Sequence, residues 1–196
     1  MRPDRSARPV GHGHAVTVAA FILAVLGFGV GVASLTWNIV SFLWQGARPK
    51  LTPIVGFRSP GGLVWNDASR DVRESLASAA KQMPPGPLVI GVKVVNAGRA
   101  PFHVAEWALC SDPSKTSLKQ FDNPLGSPVV GCDIAPGASE TFFTELNAAY
   151  ALASASQAID GKPQRIMVTV SSGGRTYVSK PVATANLALG RPQPPR

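Results

Sequence analysis

Residues suited to chemistry are what this chain has least of. It holds two cysteines and three histidines in 196 residues. Neither a CxxC pair nor a Cys/His cluster offers the spacing of a metal site. His12 and His14 form a short HGH element, but no thiol or carboxylate stands beside it, and a solvated tail is the simpler reading. His103 falls on an expected strand with no Ser, Cys or Asp arranged around it at a recognised spacing. The acids Asp67, Asp112, Asp122 and Asp133 are isolated, without a paired-carboxylate or nucleophile motif. No catalytic, cofactor-binding or metal-binding residue is therefore expected, nor any cofactor, and the chain does not read as an enzyme.

Charge is also sparse. Formal net charge is +8 and the pI about 10.1, yet only 15% of residues are charged. The excess is spread thinly over Arg2, Arg5, Arg8, Arg48, Lys50, Arg58 and single positions out to Arg196. A nucleic-acid surface needs a basic run or stripe with aromatic partners, and neither is present. The excess reads instead as a solubility charge with attraction to anionic lipid headgroups.

The sharpest absence is local. Between His14 and Arg48 there is no Asp, Glu, Lys, Arg or Pro. The apolar run Ala15–Trp44 exceeds the ~20 residues that an α-helix needs to cross ~30 Å of hydrocarbon. It is also about twice as long as a signal-peptide core, and apolar sequence continues through Ile39, Val40, Phe42 and Leu43 beyond the small residues Gly31, Ala33 and Ser34. An uncleaved transmembrane helix over 15–45 is expected, with Trp37 and Trp44 as membrane-interface anchors, since an amphipathic indole suits the headgroup boundary. Gly27 and Gly31 form one GxxxG, a candidate helix–helix contact through which a homodimer would assemble. The competing reading is that glycine is simply common in such helices.

Cys110 and Cys132 permit one bridge, a candidate disulfide that would fit an oxidising compartment. Two buried free thiols acting as small hydrophobes are the alternative. The flanking charges nearly tie: Arg2, Arg5 and Arg8 before the span, Arg48, Lys50 and Arg58 after it. The candidate bridge tips the reading toward a cell-membrane protein with its domain outside the cytoplasm.

Four segments follow. Residues 1–14 read as a disordered basic arm and 15–45 as the span. A β domain occupies 48–184, roughly 130–140 residues and enough for a real core. Residues 185–196 read as a disordered Pro-rich tail. Within the domain, strands are expected at Leu51–Phe57, Leu63–Trp65, Leu88–Asn96, Phe102–Cys110, Val129–Ile134, Ser139–Leu146, Arg165–Ser171 and Arg175–Val182. A helix is expected from Asn66 or Ser69 to about Gln82, its apolar side formed by Val72, Leu76, Ala79 and Met83. A second runs from Asn147 to about Gln157. Residues 111–128 read as a long irregular loop.

Short strands with turn signals suggest a mainly β fold, an immunoglobulin-like β-sandwich with one or two short inserted helices. The wording is more specific: Trp37-Asn38-Ile39-Val40-Ser41-Phe42-Leu43-Trp44-Gln45-Gly46 closing the span, Val92-Lys93-Val94-Val95-Asn96-Ala97-Gly98-Arg99-Ala100-Pro101-Phe102-His103-Val104, the turn Ile134-Ala135-Pro136-Gly137, and Met167-Val168-Thr169-Val170 with Gly174-Arg175-Thr176-Tyr177. Over residues 30–180 this resembles a loose group of small actinobacterial or phage-borne single-pass membrane proteins with one immunoglobulin-like domain. The shared motifs are structural and bring no catalytic residue with them. The insertion at 67–82 and the two cysteines depart from the group's plain pattern.

Three functions compete. One is a module that docks another envelope protein through the 111–128 loop and the exposed side of the 67–82 helix. Another is an accessory protein of phage or host acting in the bilayer through Gly27 and Gly31. An envelope enzyme is the third, and a deep polar pocket gathering acids around His103 would be its mark. The expected partners are the lipid bilayer, another envelope protein and a second copy of the chain, with no nucleic acid.

Overall fold

A computed structural model describes residues 12–44, 46–119 and 125–191, with the side chains of the first helix described over 20–41. The expected arm lies mostly outside these residues, as do positions 192–196. The chain divides into two units, Met1–Gln45 and Gly46–Arg196.

The described residues of the first unit form one helix, α1 (His12–Trp44), 33 residues long. At 1.5 Å per residue it extends about 50 Å. No proline or charge interrupts it, and apolar residues surround it on every side, the pattern of a helix that buries its whole circumference.

The second unit is built from antiparallel sheets. Its strands are β1 (Pro49–Ser59), β2 (Gly62–Asp67), β3 (Leu88–Asn96), β4 (Phe102–Val104), β5 (Glu106–Asp112), β6 (Ser117–Lys119), β7 (Cys132–Ile134), β8 (Ser139–Glu145), β9 (Arg165–Ser172) and β10 (Arg175–Val178). One sheet has the order β2-β1-β3-β8, a second β10-β9-β5-β6, and β4 pairs with β7 in a two-stranded ribbon. Helices α2 (Arg73–Gln82), α3 (Leu146–Asp160) and α4 (Thr184–Leu187) complete the unit, with a short 3-10 turn at Ala188–Gly190.

Alternation along the strands directs one core between the two larger sheets. Val55 and Phe57 from β1, Ile90, Val92 and Val94 from β3 and Phe142 from β8 meet Leu109 from β5 and Ile166, Val168 and Val170 from β9. The Trp107 and Phe142 rings, one from each sheet, lie 6.5 Å apart. Each such side chain contributes about 1.5–3 kcal/mol by leaving water. Pro53 is tolerated inside β1 because its carbonyl, accepting from Ala68 N, faces the β2 side just past the last β1–β2 pair at Ile54 and Asp67. The missing N–H would point the same way, so no ladder bond is lost.

Several boundaries differ from expectation for identifiable reasons. Phe102–Cys110 is two strands, not one. Phe102 and Val104 are buried, then Trp107 and Leu109, so the inward phase slips by one residue at Ala105. That extra residue acts as a bulge and passes the chain from the β4–β7 ribbon to β5 and β9. The 111–128 loop contains β6, paired to β5 through Ala108–Lys119, Leu109–Leu118 and Cys110–Ser117. Val129 belongs to no strand and is 76% exposed. Helix α2 begins only at Arg73, and Met83 leaves its apolar side because its backbone is already extended. Helix α3 follows β8 directly at Leu146 and ends where Gly161 takes a left-handed conformation.

The tail from residue 185 needs the largest correction. Asn186 and Leu187 are buried and the ordered chain continues to Gly190. Composition misled here, because one buried asparagine does the holding. Its Oδ1 accepts from Val72 N at 3.0 Å, and its Nδ2 donates to Ala68 O at 3.1 Å and Arg70 O at 2.7 Å.

Candidate functional site

Two features stand out: the apolar helix, and the edge where the β domain begins. The span Ala20–Ser41 has a mean hydropathy of 2.0, and none of it is buried in the protein. It is long and apolar enough to cross a membrane. Gly27 and Gly31 lie on this helix with nothing within 4 Å of where a Cβ would stand. Trp37 is 68% exposed, while the Trp44 side chain is outside the described residues.

Residues 46–48 already belong to the β domain, held by the turn after β3. Asn96 is fully buried and serves as the hub. Its Oδ1 accepts from Arg48 N at 3.4 Å and Gly98 N at 3.0 Å, and its Nδ2 donates to Ala100 O at 2.8 Å and Ile134 O at 3.0 Å. Its backbone bonds Ala138 and Gly137, while Ala97 N and Arg99 N reach the carbonyls of Arg48 and Gly46. A Cβ on Gly98 would come within 2.5 Å of Arg48 N and 2.7 Å of Ala47 Cα, so glycine is required by the close approach of backbone. The Val-Asn-Ala-Gly-Arg element is thus structural, and neither Asn96 nor Gly98 needs a positive φ to play its part. What the sequence did offer was Asn followed two residues later by Gly, the signature of a side chain that bonds its own backbone at i+2.

The candidate disulfide is not made: Cys110 and Cys132 are both free thiols. Cys132 opposes Val104 across β4–β7, and Cys110 lies six residues further along the strand from Val104, roughly 20 Å at strand rise. A bridge needs Cα atoms within ~7 Å. Cys110 packs as a small hydrophobe. Burial, followed by the nearby Glu140 and Asp133 charges, pushes the half-buried Cys132 thiol above its ordinary pKa, which disfavours a nucleophilic thiolate.

His103 has a carboxylate partner after all. Its Nδ1 is 2.7 Å from Asp133 Oδ1, across the β4–β7 pair. The side chains are 53% and 66% exposed, so solvent screens the pair. The other acids are engaged elsewhere. Asp112 is bridged by Lys115 and by Arg165, the latter at 2.7 Å, and these cations hold its carboxyl below the usual range. Asp67 caps Ser69 N. The Oγ of Ser111, buried at the end of β5, lies 2.5 Å from Ser114 Oγ and 3.0 Å from Ser156 Oγ, a hydroxyl cluster to which no carboxylate or imidazole is bonded among the described residues. Among the described residues no three His, Cys, Asp or Glu side chains gather in one place. Asp122 lies outside them.

The surfaces suggested for docking are only partly irregular. Lys115 adopts φ 60°, Lys119 in β6 pairs with Glu106 at 2.6 Å, and residues 120–124 are outside the described set. On α2, Arg73, Glu74, Ala77, Ser78 and Lys81 are exposed, with Arg73 bonded to Asp71.

Compared with protein-family models, with curated proteins and with solved structures, the chain finds no match in any of the three.

Proposed function

We propose that α1 anchors this protein in the cell membrane as a single span, and that its β domain is a non-catalytic immunoglobulin-like module for recognition or structure in the cell envelope. The observation that carries the reading is the span Ala20–Ser41: 22 uncharged, mostly apolar residues, none of them buried in the protein. A helix apolar on all sides and unpartnered in its own protein needs lipid around it.

The immunoglobulin-like assignment rests on strand order. In such sandwiches the first, second and fifth strands share a sheet, and the third pairs with the sixth, which pairs with the seventh. Here β1, β3 and β8 stand together, while β5 pairs with β9 and β9 with β10. β2 is an added hairpin strand, and β7 pairs with β4 instead of extending the first sheet. Isolated acids and a solvent-screened His103–Asp133 pair favour binding over catalysis.

With both thiols free, no bridge favours a domain outside the cytoplasm. Sidedness becomes a question for a membrane-impermeant maleimide directed at a Val129→Cys variant, whose site is 76% exposed. The anchor itself is tested by alkaline carbonate extraction. The full-length chain should stay in the membrane pellet and leave only with detergent. Release by carbonate or salt, or a product lacking residues 1–34, would sink the proposal.

A second reading makes the helix the active part, since nothing fills the space beside Gly27 and Gly31. The double change Gly27→Ile and Gly31→Ile would then abolish the effect in cells and leave the β domain folded.

A further inference from the structure

We propose that the edge of the β domain formed by residues 46–50, 97–101 and 135–138 is a contact surface for anionic lipid headgroups, with Arg48, Lys50 and Arg99 as the binding cations. The inference rests on the membrane-anchor reading and adds what the anchored domain touches.

These three segments are one structural unit. Arg48 N reaches Asn96 Oδ1, Ala97 N reaches Arg48 O, Arg99 N reaches Gly46 O, and Gly137 N reaches Asn96 O. Arg48, Lys50 and Arg99 are the charged residues in them, and all three are exposed. None of the three forms an ion pair among the described residues, although Arg73, Lys115, Lys119 and Arg165 each have a carboxylate. Acids begin one step further into the domain, at Asp133 and Glu140. The remaining side chains on the edge are small and apolar, from Ala47, Pro49, Ala97, Ala100, Pro101, Ala135, Pro136 and Ala138, with nothing long to hold a flat charged surface away.

Covalent continuity supplies the second argument. Gln45 alone separates Trp44, the end of α1, from Gly46, whose carbonyl is already hydrogen-bonded within the domain. Two peptide steps span at most about 7 Å. Whichever way the domain turns, these cations cannot leave the vicinity of the span's carboxyl end. A basic side chain near an anionic bilayer surface gains about five-fold in binding, and the attraction decays within a Debye length. Three together amount to roughly a hundredfold bias toward contact at low salt. The argument holds for either leaflet.

The test uses the full chain in proteoliposomes, with a bimane label on Ala97→Cys in a Cys132→Ser background. Vesicles are phosphatidylcholine with or without phosphatidylserine, and both carry a lipid with a headgroup nitroxide. Label quenching should increase several-fold with phosphatidylserine. It should return to the phosphatidylcholine level in high salt, and in the triple variant Arg48→Gln, Lys50→Gln, Arg99→Gln. Lys162→Gln with Lys180→Gln, which removes exposed charge elsewhere, should leave it unchanged. Equal quenching in the two vesicle types, with the protein retained through carbonate washing, overturns this inference and spares the anchor. Loss of the protein from the vesicles overturns the anchor as well.

Discussion

Replacing Asn96 by alanine should weaken the β domain more than any exposed polar substitution in it. The amide makes four side-chain hydrogen bonds, to Arg48 N, Gly98 N, Ala100 O and Ile134 O. Truncation leaves all four backbone groups without that partner. The bond to Ile134 is fully buried, and a buried group left unpaired costs about 1–3 kcal/mol. The other three are partly exposed, so entering water limits each loss to about 0.5–1 kcal/mol. The sum is about 2.5–6 kcal/mol, a large share of the ~5–15 kcal/mol that holds a domain folded. With a urea m-value near ~2 kcal/mol/M, the unfolding midpoint of the detergent-solubilised chain should fall by about 1–3 M, read by near-ultraviolet circular dichroism. Asn147→Ala, which removes an exposed bond to Glu145, is the control and should shift it by less than about 0.3 M. Equal shifts for the two variants would refute the hub. Asn96→Asp adds a sign test. It faces the Ala100 and Ile134 carbonyls with acceptors, so burial raises its folded pKa above the ordinary ~3.9. The folded state then binds the proton more tightly, and this variant should recover stability relative to Asn96→Ala as pH falls toward that range.

The remaining predictions are shorter. Gly98→Ala should destabilise the domain by at least ~2 kcal/mol, because its Cβ would meet backbone at Gly46, Ala47 and Arg48 that cannot swing aside; a midpoint equal to wild type would deny the close approach. Asn186→Ala should lose ~1–3 kcal/mol in the same assay, and truncation after Ala183 should lose more by also removing buried Leu187 from the core and Gly190 from against Leu146, whereas a dispensable tail would change neither. Intact mass should be the same with and without reductant. In the folded protein N-ethylmaleimide should modify half-buried Cys132 before buried Cys110, with the Cys132 rate rising with pH because its thiol pKa is raised; a two-proton mass deficit would restore the bridge. Lys115 and Arg165 hold the folded pKa of Asp112 below the ordinary carboxylate value, so its contribution is present above that ordinary value and lost as pH falls through the depressed one. Asp112→Asn should therefore flatten the acid limb of the stability profile, and an unaltered limb would show the ion pairs to be idle.

How much of this was legible in the chain depended on whether the cause was local. The apolar helix follows from composition alone, and β3 matches its expected bounds because Leu88–Asn96 is rich in β-branched valine and isoleucine and is bounded by Pro87 and by the turn at Asn96-Ala97-Gly98. The β9–β10 hairpin followed from Gly173-Gly174, both with positive φ. Phe102–Cys110 read as one strand because alternation in sequence is blind to a single inserted residue, and Ala105 gives no composition signal. The tail read as disordered because its proline content outweighed Asn186, whose partners lie 114 to 118 residues earlier. The free thiols went the same way: two cysteines in the chain permit a bridge, and only strand pairing sets the six-residue offset between Val104, opposite Cys132, and Cys110. At the domain's first edge the Asn-x-Gly pattern was visible as a turn. Its role as the seat for residues 46–48 depends on which backbone approaches it, and that is a matter of tertiary structure.

The bonds of Asn186 also impose an order of events during synthesis. Ala68, Arg70 and Val72 leave the ribosome more than a hundred residues before the amide that satisfies them, and the apolar helix emerges earlier still. At ~5–20 residues per second, several seconds pass before those three backbone groups meet the amide that pairs with them. If α1 is the anchor proposed above, it is available to the bilayer before Asn186 supplies the last of these bonds, and the domain matures only after that waiting period ends.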